Sequence, residues 1–363
     1  MKVLIICGSY PPIKCGVGDY TQGLAHSLAV IPGLEVGILT SIEAQSSPRK
    51  DSNVTLFPVM PNWRVTSLRK IFQVVDSYRP DIVHIQYPAL GYRKFLSGIL
   101  PIILKIKKIR VIQTWHEHLE GCPDVGWKNL LACNALIYVR HDFLACLPFW
   151  VEFFFNKIPT FFIPNASVIP PVVLSGDEIL NLKNSISPLK KIVCFFGFAN
   201  PNKGVERLFE LVDPEKFHLL LICDLSASNP YQNGIIETSK KPSWVNNVTI
   251  TGYLPEERIG ELFSVVDAVV FPFPGGAGSW NTSLKAAQVS GVFTLATTTS
   301  QSMIGFHQDI NTYYVACDDI AGMSKVLNEY SGHRIPPNLS NEWNEIALKH
   351  DLIYRQVSTG PLS

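Results

Sequence analysis

Residues 2–18 read KVLIICGSYPPIKCGVG, in which a short apolar run, Val3–Cys7, is followed by a turn with two prolines and by Gly16 and Gly18. A continuous apolar run of this length is typical of a buried β-strand. After the turn, apolar side chains recur on one helical face over positions 20–28. A strand, a glycine-containing turn and a helix in this order predict the first unit of a parallel α/β domain.

The same order of elements continues along the chain, because short β-branched runs alternate with amphipathic stretches. In the first half the predicted strands are Val3–Cys7, Glu35–Thr40, Val54–Val59, Ile82–Ile85, Arg110–Thr114, Ala135–Val139 and Thr160–Ile163. In the second half they are Lys191–Phe196, His218–Cys223, Val248–Thr251, Ala268–Phe271 and Val292–Ala296. The alternation predicts two parallel sheets covered by helices.

The segment 165–189 lies between the two halves and is rich in Pro, Ser and Asn. We expect it to join the halves, with no helix beyond a short turn. The predicted fold is therefore α/β, with two Rossmann-like, doubly wound domains at 1–170 and 171–340 that face a central cleft. A terminal helix and tail at 341–363 is expected to pack back toward the first domain.

The composition limits the class of protein. A chain of 363 residues is long enough for two domains. Its 47% hydrophobic and 17% charged residues indicate globular structure rather than disorder. The formal net charge of +1 gives no overall field to attract nucleic acid. No run reaches the ~20 uninterrupted apolar residues that a membrane-spanning helix needs, and the nearest, 143–164, contains prolines and charged residues.

The eight cysteines are scattered, and no two of them form a CxxC pair. We therefore expect neither a zinc site nor a redox dithiol. Several cysteines lie within apolar runs, where the thiol behaves as a small hydrophobic group. Free thiols of this kind favour a reducing compartment, and we predict a cytoplasmic protein.

Three strand-to-helix junctions carry the residues that could bind a ligand, and the first is the turn at 8–18. It is not a GxGxxG loop, because its glycines come late and two prolines intrude. Gly16 and Gly18 are either turn glycines or positions where the backbone approaches a phosphate. The unpaired N–H groups and the dipole of a helix start favour a phosphate there.

The second and third junctions lie in the other half of the chain. Lys203 precedes a predicted helix, where a cation opposes the helix dipole unless an anion is bound. It is therefore either a solvated lysine or a ligand of a diphosphate. The stretch 272–287 has three glycines over four residues before Asn281 and Thr282. These two are either ordinary N-caps or part of a backbone that lies close to a ligand.

Together these stretches resemble the retaining, nucleotide-sugar-dependent glycosyltransferases of family 4, which have the GT-B fold. In chain order the matching motifs are Tyr10-Pro11-Pro12 with Gly16-Val17-Gly18, Asp81–Tyr87, Thr114-Trp115-His116, Ile163–Ser167, Lys203-Gly204-Val205, Thr251–Leu254, Val266-Asp267-Ala268, Leu284–Ala287 and Trp343…His350…Tyr354. Each motif is short, but the set extends over nearly the whole chain in the order of the family.

The resemblance implies roles for individual residues. His116 and Lys203 are the expected catalytic residues, with His116 at the donor sugar and Lys203 on the donor diphosphate. The expected donor-binding residues are Gly16, Gly18, Lys203, Gly278, Ser279, Asn281, Thr282, Ser283 and Lys285. Tyr20 and His118 are the candidates for the acceptor, since an extended chain would place His118 on the same face as His116.

Two departures from the family pattern concern the donor. Phe198 stands where most members have an arginine, and Ala277 and Lys285 stand where they have two glutamates. The chain thus resembles a polysaccharide-biosynthesis variant that lacks the glutamate pair. A catalytically inactive relative that binds a partner is the main alternative, and a sugar-nucleotide epimerase shares the fold. A nicotinamide-dependent oxidoreductase would need the GxGxxG loop that is missing.

The expected substrates are a nucleotide sugar and a glycan or lipid-linked acceptor. No Asp-x-Asp motif occurs, so we expect neither a metal nor another cofactor, and we expect no nucleic-acid partner. The stretch 93–110 mixes large apolar side chains with six basic ones. It is either a core helix with a solvated basic edge or a surface that docks on anionic lipid.

Overall fold

The computed structural model describes residues 1–46, 53–89, 92, 95–118, 132–147, 158–278 and 280–360. These residues form two compact units, each with its own sheet. The first unit comprises Met1–Ala166 together with Asn341–Ser363, and the second comprises Ser167–Ser340. The boundary predicted after residue 170 lies within the second unit, a few residues beyond this division.

The elements are numbered in chain order. The strands are β1 (Lys2–Ile6), β2 (Glu35–Ser41), β3 (Val54–Met60), β4 (Ile82–Tyr87), β5 (Val111–Trp115), β6 (Ala135–Tyr138), β7 (Thr160–Phe162), β8 (Lys191–Phe196), β9 (Phe217–Ile222), β10 (Val248–Ile250), β11 (Ala268–Phe271), β12 (Thr294–Thr298), β13 (Gly305–His307) and β14 (Thr312–Ala316). The α-helices are α1 (Gly16–Ala29), α2 (Leu68–Tyr78), α3 (Phe95–Ile106), α4 (Gly176–Ile186), α5 (Leu208–Leu211), α6 (Pro230–Ser239), α7 (Glu256–Val265), α8 (Thr282–Val289), α9 (Ile320–Tyr330) and α10 (Glu342–Thr359).

The first unit is built on a parallel sheet in the order β3-β2-β1-β4-β5-β6-β7. The order reverses at β1, which pairs with β2 on one side and with β4 on the other. The carboxyl ends of strands at such a switch point are where open α/β sheets bind ligands. Helix α10 packs against α1, and its buried residues Ile346, Ile353 and Tyr354 join the core formed by β1.

The second unit repeats this plan with a sheet in the order β10-β9-β8-β11-β12-β14-β13. Its strands are parallel except for β13, which runs antiparallel to β14. The switch point lies at β8, between β9 and β11. The predicted α/β class with two Rossmann-like sheets is therefore confirmed.

One aspartate performs the same structural task in each sheet. Asp81 Oδ2 accepts a hydrogen bond of 2.7 Å from the backbone N–H of Lys2, and the N–H of Asp81 donates to the carbonyl of Lys2 at 2.8 Å. Asp267 makes the same pair of contacts with Ile192, both at 2.8 Å. The motifs that contain Asp81 and Asp267 thus fix the start of the central strands and need no ligand to explain them.

The stretch 165–189 departs from the prediction, because it contains the eleven-residue helix α4. Ser175 and Glu178 form a capping box, in which the Ser175 side chain accepts from the N–H of Glu178 and the Glu178 carboxylate accepts from the N–H of Ser175. The polar composition of the stretch concealed this helix. Ser-x-x-Glu is itself a signal for a helix start.

Helix α3 lies in the basic stretch 93–110, of which Arg93 and Lys94 fall outside the described residues. Leu96, Leu100 and Leu104 are buried on one face. Ile106 is 76% exposed, and Lys107 and Lys108 beside it are also exposed. Within the described ranges, no helix is both long and apolar enough to cross a membrane.

Candidate functional site

In the second unit, the loop after β8 holds Lys203 in a defined position. The Asn200 side chain accepts a hydrogen bond of 3.1 Å from the N–H of Asn202, which starts a 3₁₀ turn at Pro201–Lys203. The Lys203 ammonium lies 4.2 Å from the centre of the Phe273 ring. A cation above an aromatic face is attracted by the ring quadrupole, so the half-buried lysine is held near the carboxyl ends of β8 and β11.

Gly204 ties this loop to the glycine-rich loop that follows β11. Its backbone has a φ of +60°, and a Cβ added there would lie 2.4 Å from the carbonyl oxygen of Pro272. Only glycine combines this conformation with so close an approach. The Lys203-Gly204 motif therefore has a structural reason for its glycine, and it places Lys203 beside the loop that begins at Pro272.

The start of α6 braces the Lys203 loop from another side. The Tyr231 hydroxyl donates a hydrogen bond to the Glu206 carboxylate and accepts one of 3.0 Å from the N–H of Val205. The Gln232 amide donates to the carbonyl of Ala199 at 2.9 Å. These contacts, made from both ends of the loop, fix its backbone before any ligand binds.

The glycines of the loop after β11 are explained mostly by contacts within the chain. Gly276 has a φ of +77°, and an added Cβ would lie 2.9 Å from the N–H nitrogen of Thr299. A Cβ on Gly278 would lie 2.1 Å from the Trp280 ring. Among these three glycines, only Gly275 has no atom within 4 Å of an added Cβ. Packing alone therefore accounts for glycine at positions 276 and 278, and the interpretation that these glycines bring backbone close to a ligand stays a prediction.

Helix α8 begins immediately after this loop, and its N-terminus has no side-chain cap. The Asn281 side chain instead accepts a hydrogen bond of 2.8 Å from the N–H of Gly278. The interpretation of Asn281 as an ordinary N-cap was therefore wrong. Thr282 and Ser283 are half-buried at this uncapped start, where helix N–H groups favour an anion.

Ser283 and Lys285 lie at the start of α8, close to the residues just described. The Ser283 hydroxyl would lie 3.9 Å from a Cβ added to Gly197, so the start of α8 lies next to the end of β8. Lys285 is half-buried, and its N–H donates to the carbonyl of Asn281 at 3.0 Å. Ser279 lies outside the described residues. The structure thus brings Lys203, Gly278 and residues 281–285 to one end of the second sheet.

In the first unit, Gly16 and Gly18 have different surroundings at the start of α1. Gly16 is exposed, and nothing lies within 4 Å of an added Cβ. Gly18 is buried, and an added Cβ would lie 3.0 Å from the carbonyl oxygen of Ser9. Cys15 precedes the helix and provides no side-chain cap. Gly18 is therefore required by packing, whereas Gly16 leaves an open, uncapped helix start.

His116 follows β5 at the carboxyl edge of the first sheet and is buried. The backbone N–H of His116 donates a hydrogen bond to the carbonyl of Tyr87 at 2.6 Å. The ring nitrogen Nε2 of His116 lies 2.8 Å from Gln86 Oε1. The Tyr20 ring makes an edge contact with the imidazole at a centroid distance of 4.6 Å. Burial, with a smaller contribution from His350, lowers the pKa of His116 to about 3, so the ring is neutral at physiological pH.

His84 is fully buried in the first unit. Its Nδ1 lies 2.7 Å from the Tyr354 hydroxyl of α10, and its Nε2 lies 2.7 Å from Thr114 Oγ1. The Gln86 amide nitrogen is 3.3 Å from the same Nε2. Neither Gln86 nor Thr114 was predicted as a site residue, although the polar residues His84 and Gln86 alternate along β4 and mark one face of that strand.

The two acceptor candidates have different environments. Tyr20 is 1% exposed and packs between His116 and Trp343, with a centroid distance of 5.3 Å to the latter. His118 lies beyond β5, and its Nε2 is 3.1 Å from Asp142 Oδ1. Burial raises the pKa of Asp142, and hydrogen bonds from Arg140 and His118 lower it, with a net shift downward.

Among the described residues, His118, Asp142 and Cys146 form a group whose potential metal-ligand atoms lie within 4.8 Å of one another. The Asp142 carboxylate is also bound by the Arg140 guanidinium, with Nη2 at 3.2 Å from Oδ2. A second cation at this carboxylate would have to compete with Arg140. The sequence-based expectation that the protein needs no metal stays a prediction.

The fold and the sequence can be compared with known proteins. The family model of the glycosyl transferase 4-like domain matches residues 15–148. No curated protein sequence matches the chain. Sucrose-phosphate synthase from Thermosynechococcus elongatus is 16% identical, with a TM-score of 0.73 over 98% of this chain and 99% of that one.

Two further similar structures contain nucleotides. The HepE protein of Anabaena, solved with UDP and glucose, is 14% identical, with a TM-score of 0.64 over 99% of this chain and 98% of that one. The catalytic domain of starch synthase IV from Arabidopsis thaliana, bound to ADP and acarbose, is 13% identical, with a TM-score of 0.66 over 99% and 100%. Residues 15–148 are thus similar to the glycosyl transferase 4-like domain, and the chain as a whole has the GT-B fold.

Proposed function

We propose that the protein is a retaining glycosyltransferase that moves a sugar from a nucleotide diphosphate sugar to a glycan or lipid-linked acceptor. We place it in polysaccharide or glycoconjugate biosynthesis in the cytoplasm and propose that it needs no metal ion. The observation that carries the proposal is that Lys203 and the uncapped start of α8 lie at the same end of the second sheet. Both features favour a bound diphosphate.

The chemistry of the donor explains why such an arrangement is needed. When the anomeric bond breaks, negative charge develops on the diphosphate that leaves. A fixed ammonium group and oriented N–H groups stabilise that charge without reorganisation at the moment of reaction. Lys203 is held by Phe273 and by a braced loop, and the N–H groups at Thr282 and Ser283 are directed by the helix.

His116 is the proposed group at the donor sugar in the first unit. Its neutral imidazole can exchange hydrogen bonds with a sugar hydroxyl, and its buried position fixes the ring. In a retaining transfer the acceptor would attack from the face that the diphosphate leaves. We propose no carboxylate as a covalent nucleophile, because the carboxylates in the family motifs, Asp81 and Asp267, each accept a hydrogen bond from a backbone N–H at the start of a central strand.

The similar structures support the class of donor, since HepE was solved with UDP and glucose and starch synthase IV with ADP. They do not agree on the base, and we leave the base of this protein's donor to experiment. We expect a thermal-shift screen against uridine, guanosine and adenosine diphosphate sugars to show one nucleotide that raises the melting temperature, because only a ligand of the folded state stabilises it.

One observation favours the alternative of an inactive relative. Phe198 is 47% exposed at the position of the family's arginine, and Ala277 and Lys285 replace the glutamates. Slow hydrolysis of the bound donor distinguishes the two cases, since an inactive binder would give none above the uncatalysed rate.

Metal independence is tested by running the donor-hydrolysis assay with and without EDTA, and loss of turnover in EDTA would contradict it. NMR of the product anomer tests retention.

A lipid-linked acceptor would bring the protein to a membrane surface. We propose that the exposed end of α3 makes this contact through Ile106, Lys107 and Lys108. The Lys107 ammonium also lies 4.6 Å from the Phe72 ring, which places an aromatic residue beside the basic end. Vesicles of anionic lipid should sediment the protein at low salt, and K107E/K108E should abolish this. Absent sedimentation, or sedimentation that the double variant leaves unchanged, would contradict the contact.

A further inference from the structure

A continuous row of hydrogen-bonded side chains connects the C-terminal helix α10 with His116 in the first unit. The Tyr354 hydroxyl lies 2.7 Å from His84 Nδ1, and His84 Nε2 lies 3.3 Å from the Gln86 amide nitrogen. Gln86 Oε1 in turn lies 2.8 Å from His116 Nε2. We refer to these four residues as the relay. None of its side chains is more than 6% exposed, so water does not compete for these bonds.

The Gln86 amide has its oxygen toward His116 and its nitrogen toward His84, and this orientation sets the direction of each bond. Its oxygen can only accept, so the proton of His116 is on Nε2. Its nitrogen can only donate, so His84 Nε2 carries a lone pair, which also accepts from the Thr114 hydroxyl at 2.7 Å. A neutral His84 then has its proton on Nδ1 and donates it to the Tyr354 oxygen. Burial lowers the pKa of both histidines, which keeps both rings neutral.

We propose that Tyr354 is a positioning residue that acts through His84 and Gln86 to hold the proton of His116 on Nε2. The other ring nitrogen of His116, Nδ1, is thereby kept as a hydrogen-bond acceptor. The catalytic consequence rests on the role of His116 in the proposed function. The assignment of the tautomer itself rests only on the contacts within the first unit.

Loss of the Tyr354 hydroxyl should reverse the whole relay. The Nδ1–H of His84 would then be buried without an acceptor, at a cost that favours moving its proton. On Nε2 the proton can be donated to Thr114 Oγ1. The Gln86 amide would turn its oxygen toward His84 and its nitrogen toward His116. His116 Nε2 would have to accept, and its proton would move to Nδ1.

The test is NMR of the full chain labelled with ¹⁵N at histidine, which distinguishes the two neutral tautomers. We expect His116 of the wild type to be protonated on Nε2 and His116 of Tyr354→Phe to be protonated on Nδ1. Tyr78→Phe is the matched control, because among the described residues the Tyr78 hydroxyl has no hydrogen-bond partner. This control should leave the His116 spectrum unchanged. Protonation of wild-type His116 on Nδ1, or no change in Tyr354→Phe, would overturn the inference.

The Gln86→Leu variant tests whether the effect of Tyr354 reaches His116 through Gln86. In Gln86→Leu the connection is cut, so adding Tyr354→Phe should no longer change the His116 tautomer. If Tyr354→Phe does not fold, Gln86→Leu alone should replace the single His116 tautomer by a mixture, and an unchanged single tautomer would overturn the inference. In folded Tyr354→Phe we expect kcat to fall by on the order of tenfold at unchanged donor KM. A moved tautomer with unchanged kcat would contradict the catalytic role of His116 and leave the relay standing.

Discussion

The ammonium group of Lys203 lies over the ring of Phe273, 4.2 Å from its centre, and so joins the loop after β8 to the loop after β11. A free lysine side chain must give up considerable rotational freedom when it binds an anion. The contact with Phe273 restricts that freedom in advance. Preorganisation of this kind is what makes a charge effective in stabilising a leaving group.

We expect Lys203→Ala to lower kcat by on the order of a hundredfold, as the loss of one preorganised charge donor does in other enzymes. Lys240→Ala is the control, since Lys240 is an exposed lysine of the same unit that pairs with Glu237 at 2.8 Å. Steady-state rates of donor hydrolysis are the measurement. Wild-type turnover in Lys203→Ala would remove the lysine from the site.

His116→Asn should lower kcat by about a hundredfold and leave the donor KM nearly unchanged. The reason is that its contact to the sugar should strengthen as the anomeric bond breaks. The exposed His141 provides the control substitution to asparagine. If the donor KM rises and kcat stays constant, His116 is a binding or structural residue and has no special role in the transition state.

The stability of the first unit should fall in mild acid because three buried histidines are kept neutral. Burial lowers the pKa of His350 to about 4 and that of His116 to about 3, and it holds the pKa of His84 well below its usual range. The unfolded chain binds protons at these residues below a pKa of about 6.5. Unfolding therefore takes up protons in acid, and stability is lost as the pH falls from about 6.5 toward 4.

His350→Gln isolates one of these groups. Consider a histidine that stays neutral in the folded state and becomes protonated in the unfolded state. When the pH falls from 6.5 to 5, such a residue lowers the free energy of unfolding by roughly 2 kcal/mol. The variant should lose less stability than the wild type over this range by about that amount, as measured by urea unfolding. His141→Gln, at an exposed position, should follow the wild type. Equal losses in all three proteins would show that His350 is protonated without penalty.

Most of the fold could be predicted from local patterns, and the failures have physical causes. The strands at the centre of each sheet are buried on both faces, so their continuous apolar runs are easy to recognise. Strand β13 was missed because it has only three residues and lies at the edge of the sheet. Its neighbour β14 was missed although Thr312–Ala316 has the β-branched and aromatic residues typical of a strand. Helix α4 was missed because the polar composition around it outweighed the Ser175–Glu178 capping signal.

The candidate site divides in the same way. Lys203 and residues 281–285 could be placed from sequence, because a strand-to-helix junction fixes them locally. The pairing of His84 with Tyr354 spans 270 positions, and no local pattern predicts such a contact. The glycines also needed the structure. Only the surroundings of each missing Cβ distinguish the open Gly16 from the tightly packed Gly18 and Gly278.

That distinction predicts opposite results for two similar substitutions. Gly16→Ala meets no atom within 4 Å and should leave the melting temperature unchanged or slightly higher, since alanine is the better helix residue. It should nevertheless weaken donor binding if a ligand approaches this helix start. Gly18→Ala places a Cβ 3.0 Å from the Ser9 carbonyl oxygen and should destabilise the unit by roughly 1–3 kcal/mol. Thermal unfolding and donor titration of both variants provide the comparison. Full donor affinity in Gly16→Ala would exclude a contact at Gly16.

Lys285 stands where the resemblance to family 4 implies a glutamate, and we expect it to affect the choice of donor. A glutamate there could accept hydrogen bonds from a ribose, whereas a lysine can only donate. Lys285 lies one turn after Asn281 on α8, and its half-buried position near the helix start suits contact with an anion. We expect it to bind a phosphate or a carboxylate of the donor sugar, such as that of a uronic acid. Lys285→Glu should then reduce turnover of an acidic donor at least tenfold more than that of its neutral counterpart. Equal losses with both donors would assign the lysine to the phosphates, and full activity with both would place it outside the site.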